Sequence, residues 1–261
     1  MITFKDLGNY GRLGNQMFQY ALLKSVSDKT GYNVVVPLGD YDLLKMNLKC
    51  DRMPIEKLSI KTINHKSFRE KFFHFDPSVF NVVNGTNFYG YFQSYKYFKQ
   101  IKDELGKEYT ANKNMQDNCN SYVEGIRKNC DGIVGVHVRR GDYMNLQEYH
   151  PFPGIRYYKK CMTYFRTRGN YKFLICSDDM DWCKRNISGA DIYYSSMNDR
   201  YFDFTILRSC NHNIIANSSF SWWAAWLEDF GERIVFCPKI WMGPKGPQDW
   251  YDLIPDNWMS V

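Results

Sequence analysis

The chain lacks any long hydrophobic run. Nowhere in its 261 residues is there a stretch of the roughly 18 to 20 uncharged apolar residues that a membrane-crossing helix needs. The opening segment MITFKDLGNYGRLGNQ carries charged and polar residues where an export signal has an apolar core. A protein that neither spans a membrane nor leaves the cell by a signal peptide is therefore expected. Paired cysteine spacing is also missing. The eight cysteines, Cys50, Cys119, Cys130, Cys161, Cys176, Cys183, Cys210 and Cys237, include no CxxC and no metal-ligand cadence, which argues against a zinc site or a redox motif and for reduced core residues. Internal repeats and low-complexity tracts are absent too, and 44% hydrophobic with 24% charged residues is the composition of a folded globular chain rather than a disordered one. No charge sign dominates. Thirty-four Lys plus Arg against 28 Asp plus Glu leave +6, an excess that suits an anionic ligand or membrane surface and does not call for nucleic acid.

Aromatic residues, by contrast, are abundant: 20 Tyr, 18 Phe and 7 Trp make 17% of the chain. Such rings fill cores and also line clefts that stack on sugars or bases. Many of them fall in blocks such as FSWWAAWL and YFQSYKYF, whose spacing reads as helix packing, so the excess is weak evidence for sugar stacking. Asn-x-Ser/Thr triplets at Asn84, Asn186 and Asn217 read as chance matches in a chain with no visible secretory route.

Along the chain, a short strand ITFKDL leads through the loop Gly8 to Gly14 into an amphipathic run, NQMFQYALLKSVSDKT, which Gly31 closes before the strand YNVVVPL. Residues 40 to 85 show no clean period. NFYGYF reads as a strand, SYKYFKQIKDELGKEY as a helix, and the Asn- and Asp-rich segment 110 to 121 as a hinge or surface connector. From GIVGVHV onward, strands YKFLICS, ADIYYS, HNIIAN and RIVFCP alternate with helical stretches. That alternation is the signature of βαβ crossovers and a parallel sheet. The expected architecture is α/β, two lobes facing each other across a cleft, with residues 1–125 in one and 126–261 in the other.

Four clusters carry chemistry. His137-Val138-Arg139-Arg140-Gly141-Asp142-Tyr143 follows GIVGVHV, at the carboxyl end of a strand, where open α/β sheets bind ligands. Arginine there can fork two N–H donors onto a phosphate; the alternative is an Arg-Asp pair that only pins a turn. Asn217-Ser218-Ser219-Phe220-Ser221 runs from a strand into a helix, offering N–H groups and hydroxyls at a positive dipole end, or else ordinary capping. Gly11-Arg12-Leu13-Gly14-Asn15-Gln16 fits neither the dinucleotide fingerprint nor a P-loop, but its glycines let backbone approach a ligand, with Arg12 and Asn15 supplying charge and hydrogen bonding. Ser177-Asp178-Asp179-Met180-Asp181 contains a literal Asp-x-Asp, a pattern that can hold a divalent metal; first-turn carboxylates complementing a helix dipole explain it equally. Asp178, at the strand end, could accept two parallel donors from a guanine.

Taken in order, GRLGNQMFQYA, GYFQSYKYF, HVRRGDY and NHNIIANSSFSWWAAWL resemble the blocks of the α-1,2-fucosyltransferases of bacterial type, family 11 of the glycosyltransferases, over nearly the full length. The resemblance implies two Rossmann-like lobes of the GT-B kind, an acceptor-side lobe before a nucleotide-sugar lobe. It implies GDP-β-L-fucose as donor and inverting transfer to the 2-hydroxyl of a galactose-type sugar, in an oligosaccharide or a lipid-linked glycan, without metal or other cofactor. It places His137 and Asp178 near the guanine and Arg139, Ser218, Ser219 and Phe220 on the pyrophosphate. Arg12, Arg140, Asp142 and Asn217 complete the donor-side candidates, and Arg139 and Asn15 are the catalytic ones. For the general base Asp142, Glu148 and His150 stay open, although MNLQEYHPF matches no family block. The expected location is the cytoplasm, with the +6 charge available for peripheral attachment to the inner membrane face. Two alternatives stand beside this reading: a GDP-sugar transferase of different donor or linkage, and a non-catalytic sugar-binding protein.

Overall fold

The computed structural model describes residues 1–61, 67–228 and 231–261. It divides into two compact α/β units, one of Met1–Thr110 with Gln248–Pro255, the other of Ala111–Pro247 with Asp256–Val261.

The first unit contains α1 (Leu13–Thr30), β1 (Val35–Pro37), β2 (Asp51–Met53), α2 (Ile55–Lys61), β3 (Ser67–Arg69), β4 (Asn87–Tyr89) and α3 (Lys102–Glu108). β1 pairs with β2 and β3 with β4, both in parallel. Ile2 and Thr3 join the two pairs, bridging to Val34 and Asn87 in parallel. The expected first strand shrinks to these bridges because the chain turns at once, with Leu7 N–H on the Phe4 carbonyl and Asn9 N–H on that of Asp6. α1 ends at Gly31, whose φ of +72° lets its N–H reach the Ser27 carbonyl, the left-handed cap that glycine adopts without a Cβ penalty. It is buried on nearly every side rather than along one stripe, so its polar residues need partners inside. Gln16 donates to the Gly11 carbonyl (3.0 Å) and accepts from Leu43 N–H (2.9 Å), and Gln19 donates to the Gly90 carbonyl (3.1 Å). The run after Ser94 is two 3-10 turns followed by α3 rather than one helix.

The second unit carries α4 (Lys113–Arg127), β5 (Gly132–Val138), α5 (Gly154–Arg166), β6 (Tyr171–Ser177), α6 (Met180–Asn186), β7 (Ile192–Tyr194), α7 (Arg200–Ser209), β8 (His212–Ile214), α8 (Ser219–Trp226), β9 (Val235–Cys237) and β10 (Met259–Ser260). Its sheet has the order β10-β9-β8-β5-β6-β7, and every pairing is parallel. The chain winds outward from β5 through β6 to β7, then returns to β8 on the other side of β5 and winds outward again. The order therefore reverses between β5 and β8, the switch point at which doubly wound sheets open a crevice beyond their strand ends. β5, buried along its whole length, reads as a continuous apolar run because helices cover both its faces.

Two expectations need correction. The segment 110 to 121 is no connector: α4 starts at Lys113, with Asn112 Oδ1 accepting the Met115 N–H (3.0 Å) as its cap. Its buried Cys119, Val123 and Ile126 form a stripe that the many intervening polar residues disguise. Because α4 packs on α7, with Tyr122 and Phe202 rings 5.5 Å apart, the division falls at Thr110/Ala111 and not at 125/126, and the short return 248–255 belongs to the first unit.

Aromatic residues are largely core: Trp222 and Trp223 are fully buried and cluster with Trp226 and Trp258. Six cysteines are buried, all eight are free thiols, and burial pushes Cys161, Cys210 and Cys237 up to about 12, as suits inert core thiols. Among the described residues no helix is long and apolar enough to cross a membrane.

Candidate active site

Beyond the ends of β5 and β8 two loops meet. The first leaves Val138, and its two arginines take different roles. Arg139 pairs with Asp178 (Nη1 to Oδ2, 2.7 Å) and with Asp142, and its guanidinium lies 5.2 Å from the Tyr143 ring centre. Arg140 lies over the rings of Trp182 (4.3 Å) and Phe152 (4.9 Å) while its Nε donates to Asp179 (3.0 Å). Arg140 is thus a fixed strut and Arg139 a cation balanced by two carboxylates. Asp178 spends its second oxygen on the Arg140 backbone N–H (2.8 Å). Gly141 makes this possible: a Cβ there would stand 2.4 Å from Asp178 Oδ2.

Asp179 is the N-cap of α6, accepting the Trp182 N–H (3.1 Å). Burial would raise its carboxyl, but the Arg140 guanidinium and the Trp182 N–H outweigh it and hold the group below its ordinary range. Asp179 thus caps α6 and Asp181 lies in its first turn; among the described residues there is no group of three or more His, Cys, Asp or Glu that could hold a metal.

The second loop leaves β8 and enters α8. Ser218 occupies the N-cap position, yet its hydroxyl makes no capping bond, so ordinary capping does not absorb it. Asn217 is buried. Its Nδ2 donates to the carbonyls of Pro151 and Trp241 (3.0 Å each), and its Oδ1 is buried with no partner among the described residues. His137 points from β5 beneath the same turn, 6% exposed, with Nδ1 2.9 Å from Ser221 Oγ and its ring 5.3 Å from that of Phe220. Ser221 Oγ also lies within reach of the Ser218 carbonyl (3.3 Å). Burial first, and the nearby Arg139 charge second, lower His137 to about 3. It is a neutral prop under the first turn of α8.

The segment after Tyr143, which matches no block of the resemblance and holds the general-base candidates Glu148 and His150, packs back on Tyr143 and on the 243–245 loop. Tyr143 stacks on His150 (4.7 Å, 17° between planes) and donates its hydroxyl to the Asn217 carbonyl (3.3 Å). Glu148 pairs with Lys245 (2.6 Å), and Gly243 N–H donates to the Tyr149 carbonyl (2.9 Å). A Cβ on Gly243 would strike the Glu148 carbonyl at 2.3 Å. Burial, which outweighs the opposing pull of Asp142, lowers His150, with Arg139 acting in the same direction. Tyr143, read with the HVRRGDY cluster, and His150, one of the open general-base candidates, thus lie together beside Arg139.

Arg12 and Asn15 belong to the first unit. Arg12, exposed, is the N-cap of α1. Asn15 Oδ1 accepts from Gln93 Nε2 (2.8 Å), and Gly11, with φ +83°, makes room for its amide, since a Cβ would lie 2.2 Å from Asn15 Nδ2. Of the expected set, the second unit brings together His137, Arg139, Arg140, Asp142, Asp178, Asn217, Ser218, Ser219 and Phe220 around the β5/β8 switch point.

This arrangement sits in a chain with clear relatives. The model of glycosyl transferase family 11 matches residues 3–244. An alpha-1,2-colitosyltransferase of Escherichia coli is 30% identical over 96% of both chains. The O-antigen biosynthesis glycosyltransferase WbnK of the same species is 27% identical over 96% of this chain and 98% of its own, and a galactoside alpha-(1,2)-fucosyltransferase 2 of Rattus norvegicus is 28% identical over 85% and 66%. Among solved structures, NodZ alpha-1,6-fucosyltransferase soaked with GDP-fucose superposes with a TM-score of 0.53 at 13% identity, covering 87% of this chain and 91% of that one. POFUT1 in complex with GDP-fucose gives 0.51 at 10%, covering 87% and 94%. The latter two likenesses speak to the fold, which is of GT-B type. The chain belongs to glycosyl transferase family 11.

Proposed function

From that membership we propose that the enzyme moves L-fucose from GDP-β-L-fucose, with inversion, to the 2-hydroxyl of a galactose-type acceptor. The observation that carries this reading is the meeting of Arg139 and the start of α8 at the β5/β8 switch point. A sugar nucleotide leaves negative charge on its β-phosphate as the glycosidic bond stretches. Donors already aimed at that oxygen stabilise the transition state more than the ground state. Arg139 is the mobile cation of the set: the diphosphate replaces Asp142 and Asp178 as its partner. Arg140, fixed between two rings and Asp179, holds the loop that aims it. In this reading protein groups meet the phosphate charge, Asp179 is engaged by Arg140 and the α6 N-terminus, and the transfer calls for no divalent ion. The family resemblance gives Asn15 and Arg12 of the first unit the sugar and acceptor side of the reaction. His150 and Asp142 are the candidates for taking the acceptor proton that lie against the Arg139 group, through the Tyr143 stack and the ion pair respectively.

The 30% identity to a colitosyltransferase favours one specific second reading, in which the donor sugar is colitose, fucose without its 3-hydroxyl. The 27% identity to an O-antigen glycosyltransferase supports a bacterial surface glycan as the acceptor, built on a lipid carrier at the inner membrane face. Release of GDP from GDP-fucose, dependent on a β-galactoside and yielding an α-1,2 linkage, tests the main reading. Faster turnover of GDP-colitose in the same assay replaces it with the second, and absence of turnover with either donor refutes both. Thermal protection by GDP but not UDP or ADP tests the nucleotide alone.

A further inference from the structure

Glu70 lies just past β3 and outside every motif discussed above. Its carboxylate accepts two backbone hydrogen bonds, from Tyr91 N–H and Phe92 N–H, each 2.7 Å. The turn that offers them is strained. Gly90 has φ +143° and Phe92, a non-glycine residue, φ +52°, a conformation that persists only when its surroundings impose it. The surroundings are specific. A Cβ on Gly90 would lie 2.4 Å from the Glu70 Cβ, Gln19 of α1 donates to the Gly90 carbonyl (3.1 Å), and Phe92 is buried between Phe4, Phe88 and Tyr97. The next residue, Gln93, reaches Asn15 Oδ1 (2.8 Å). By consuming the oxygen of the Asn15 amide it fixes which way the amide nitrogen points, towards the Gly11 turn.

We propose that Glu70 is a positioning residue for acceptor use: as a carboxylate it clamps the 90–93 turn, and through Gln93 it holds Asn15 in the orientation that engages the acceptor. The proposal rests on the acceptor-side role given to Asn15 in the proposed function. A carboxylate satisfies both N–H groups, one per oxygen; once protonated, its hydroxyl oxygen is a poor acceptor and one N–H loses its partner. Burial pushes Glu70 up to about 7 against the two N–H bonds, and Asp249 adds to the rise. Asp249 is itself held by Phe73 N–H (2.7 Å) and His74 Nδ1 (3.2 Å). The other titratable groups facing it, Tyr91 and Tyr97, have their own values raised, first by burial and also by Glu70. Of its chain neighbours, Arg69 is turned to the Tyr89 ring (4.4 Å) and Lys71 is exposed. The clamp therefore opens in a physiological range of pH.

The test combines transfer kinetics from pH 5 to 9 with hydrogen exchange of the Tyr91 and Phe92 amides. In the parent enzyme kcat/KM for the acceptor should fall below a midpoint near 7, and the two amides should lose protection over the same range. Glu70→Gln, which keeps one acceptor oxygen, should abolish that limb, lower acceptor kcat/KM about tenfold at pH 8 as expected for one lost charged hydrogen bond, leave one of the amides fast at every pH, and leave GDP affinity unchanged. Gln93→Ala should reproduce the kinetic loss without altering amide protection, and it serves where Glu70→Gln folds poorly. Amides protected alike at pH 5 and pH 8 in the parent overturn the clamp, and Gln93→Ala with parental acceptor kinetics overturns the link to Asn15. If no galactoside is fucosylated at all, the proposed function fails while the exchange measurement still decides the clamp.

Discussion

Replacing His137 by Phe should flatten the acid side of the stability profile. His137 is buried and lowered to about 3 from its ordinary 6.5, by desolvation and then by the Arg139 charge. Between those values the unfolded chain takes up a proton that the native state refuses, so stability must fall as pH falls through this window and is fully present only above about 6.5. The slope is about 1.4 kcal/mol per pH unit while only the unfolded state titrates. From pH 7 to pH 4.5 the change occupies about two of those units, or about 3 kcal/mol. Phe packs beside Phe220 much as the imidazole does and leaves Ser221 its bond to the Ser218 carbonyl. Urea unfolding of both proteins at pH 4.5, 5.5 and 7 measures the difference. Asp203, raised to about 6 by burial, and Glu70 titrate in the opposite sense but are common to both proteins and cancel. The variant should lose stability at pH 7, from the missing hydrogen bond, and should lose about 3 kcal/mol less than the parent on acidification. Parallel profiles would refute the neutral, buried histidine and with it the prop under α8.

Other consequences are sharper in activity. Arg139→Ala should lower turnover on the order of 10²- to 10³-fold with the fold retained by circular dichroism, and near-parental turnover would remove Arg139 from the mechanism. Gly141→Ala places a Cβ 2.4 Å from Asp178 Oδ2; displacing that carboxylate unhooks the Arg140 N–H and shifts the loop that aims Arg139, so calorimetry should show GDP binding weakened at least several-fold. Asp179→Ala removes the α6 cap and the Arg140 partner together and should cost about 1 to 2 kcal/mol in urea unfolding, where an unchanged midpoint would deny the cap its role.

How far the sequence alone led differs between the two units. In the second, GIVGVHV and YKFLICS coincide with β5 and β6 residue for residue, because each holds an apolar run of the kind a covered strand shows and ends just before charged residues. In the first, strands are three residues long, too short for a period to declare itself, and the central one survives only as bridges at Ile2 and Thr3. α4 escaped notice because three buried residues among fifteen leave little apolar signal. The arginines, aspartates and serines of the site were legible from their position at strand ends. What was not legible was side-chain pairing: at long range Glu70 with Tyr91 and Phe92 and Gln93 with Asn15, and within one loop His150 on Tyr143. These depend on loops whose courses are set by tertiary contacts.

The ion pairs around Arg139 bear on why the proposed diphosphate site carries so many carboxylates. A lone guanidinium at a strand end would hold phosphate tightly but would hold product GDP as tightly as donor, and binding shared by ground state and product does nothing for turnover. Asp142 and Asp178 pair with Arg139, so under the proposed function the diphosphate competes with them for it and the net gain from each ligand contact is reduced. In the proposed function the contact strengthens as charge builds on the β-phosphate oxygen, so it favours the transition state over the bound donor, while competition from the two carboxylates weakens the hold on product GDP. Arg140 answers the complementary need. Between Trp182, Phe152 and Asp179 it has no comparable exchange of partners to make, and its rigidity keeps the Arg139 backbone aimed while the side chain changes partner. Under the proposed function one adjacent arginine exchanges partners while the other holds still, a division of labour that an Arg-Asp pair pinning a turn would not need.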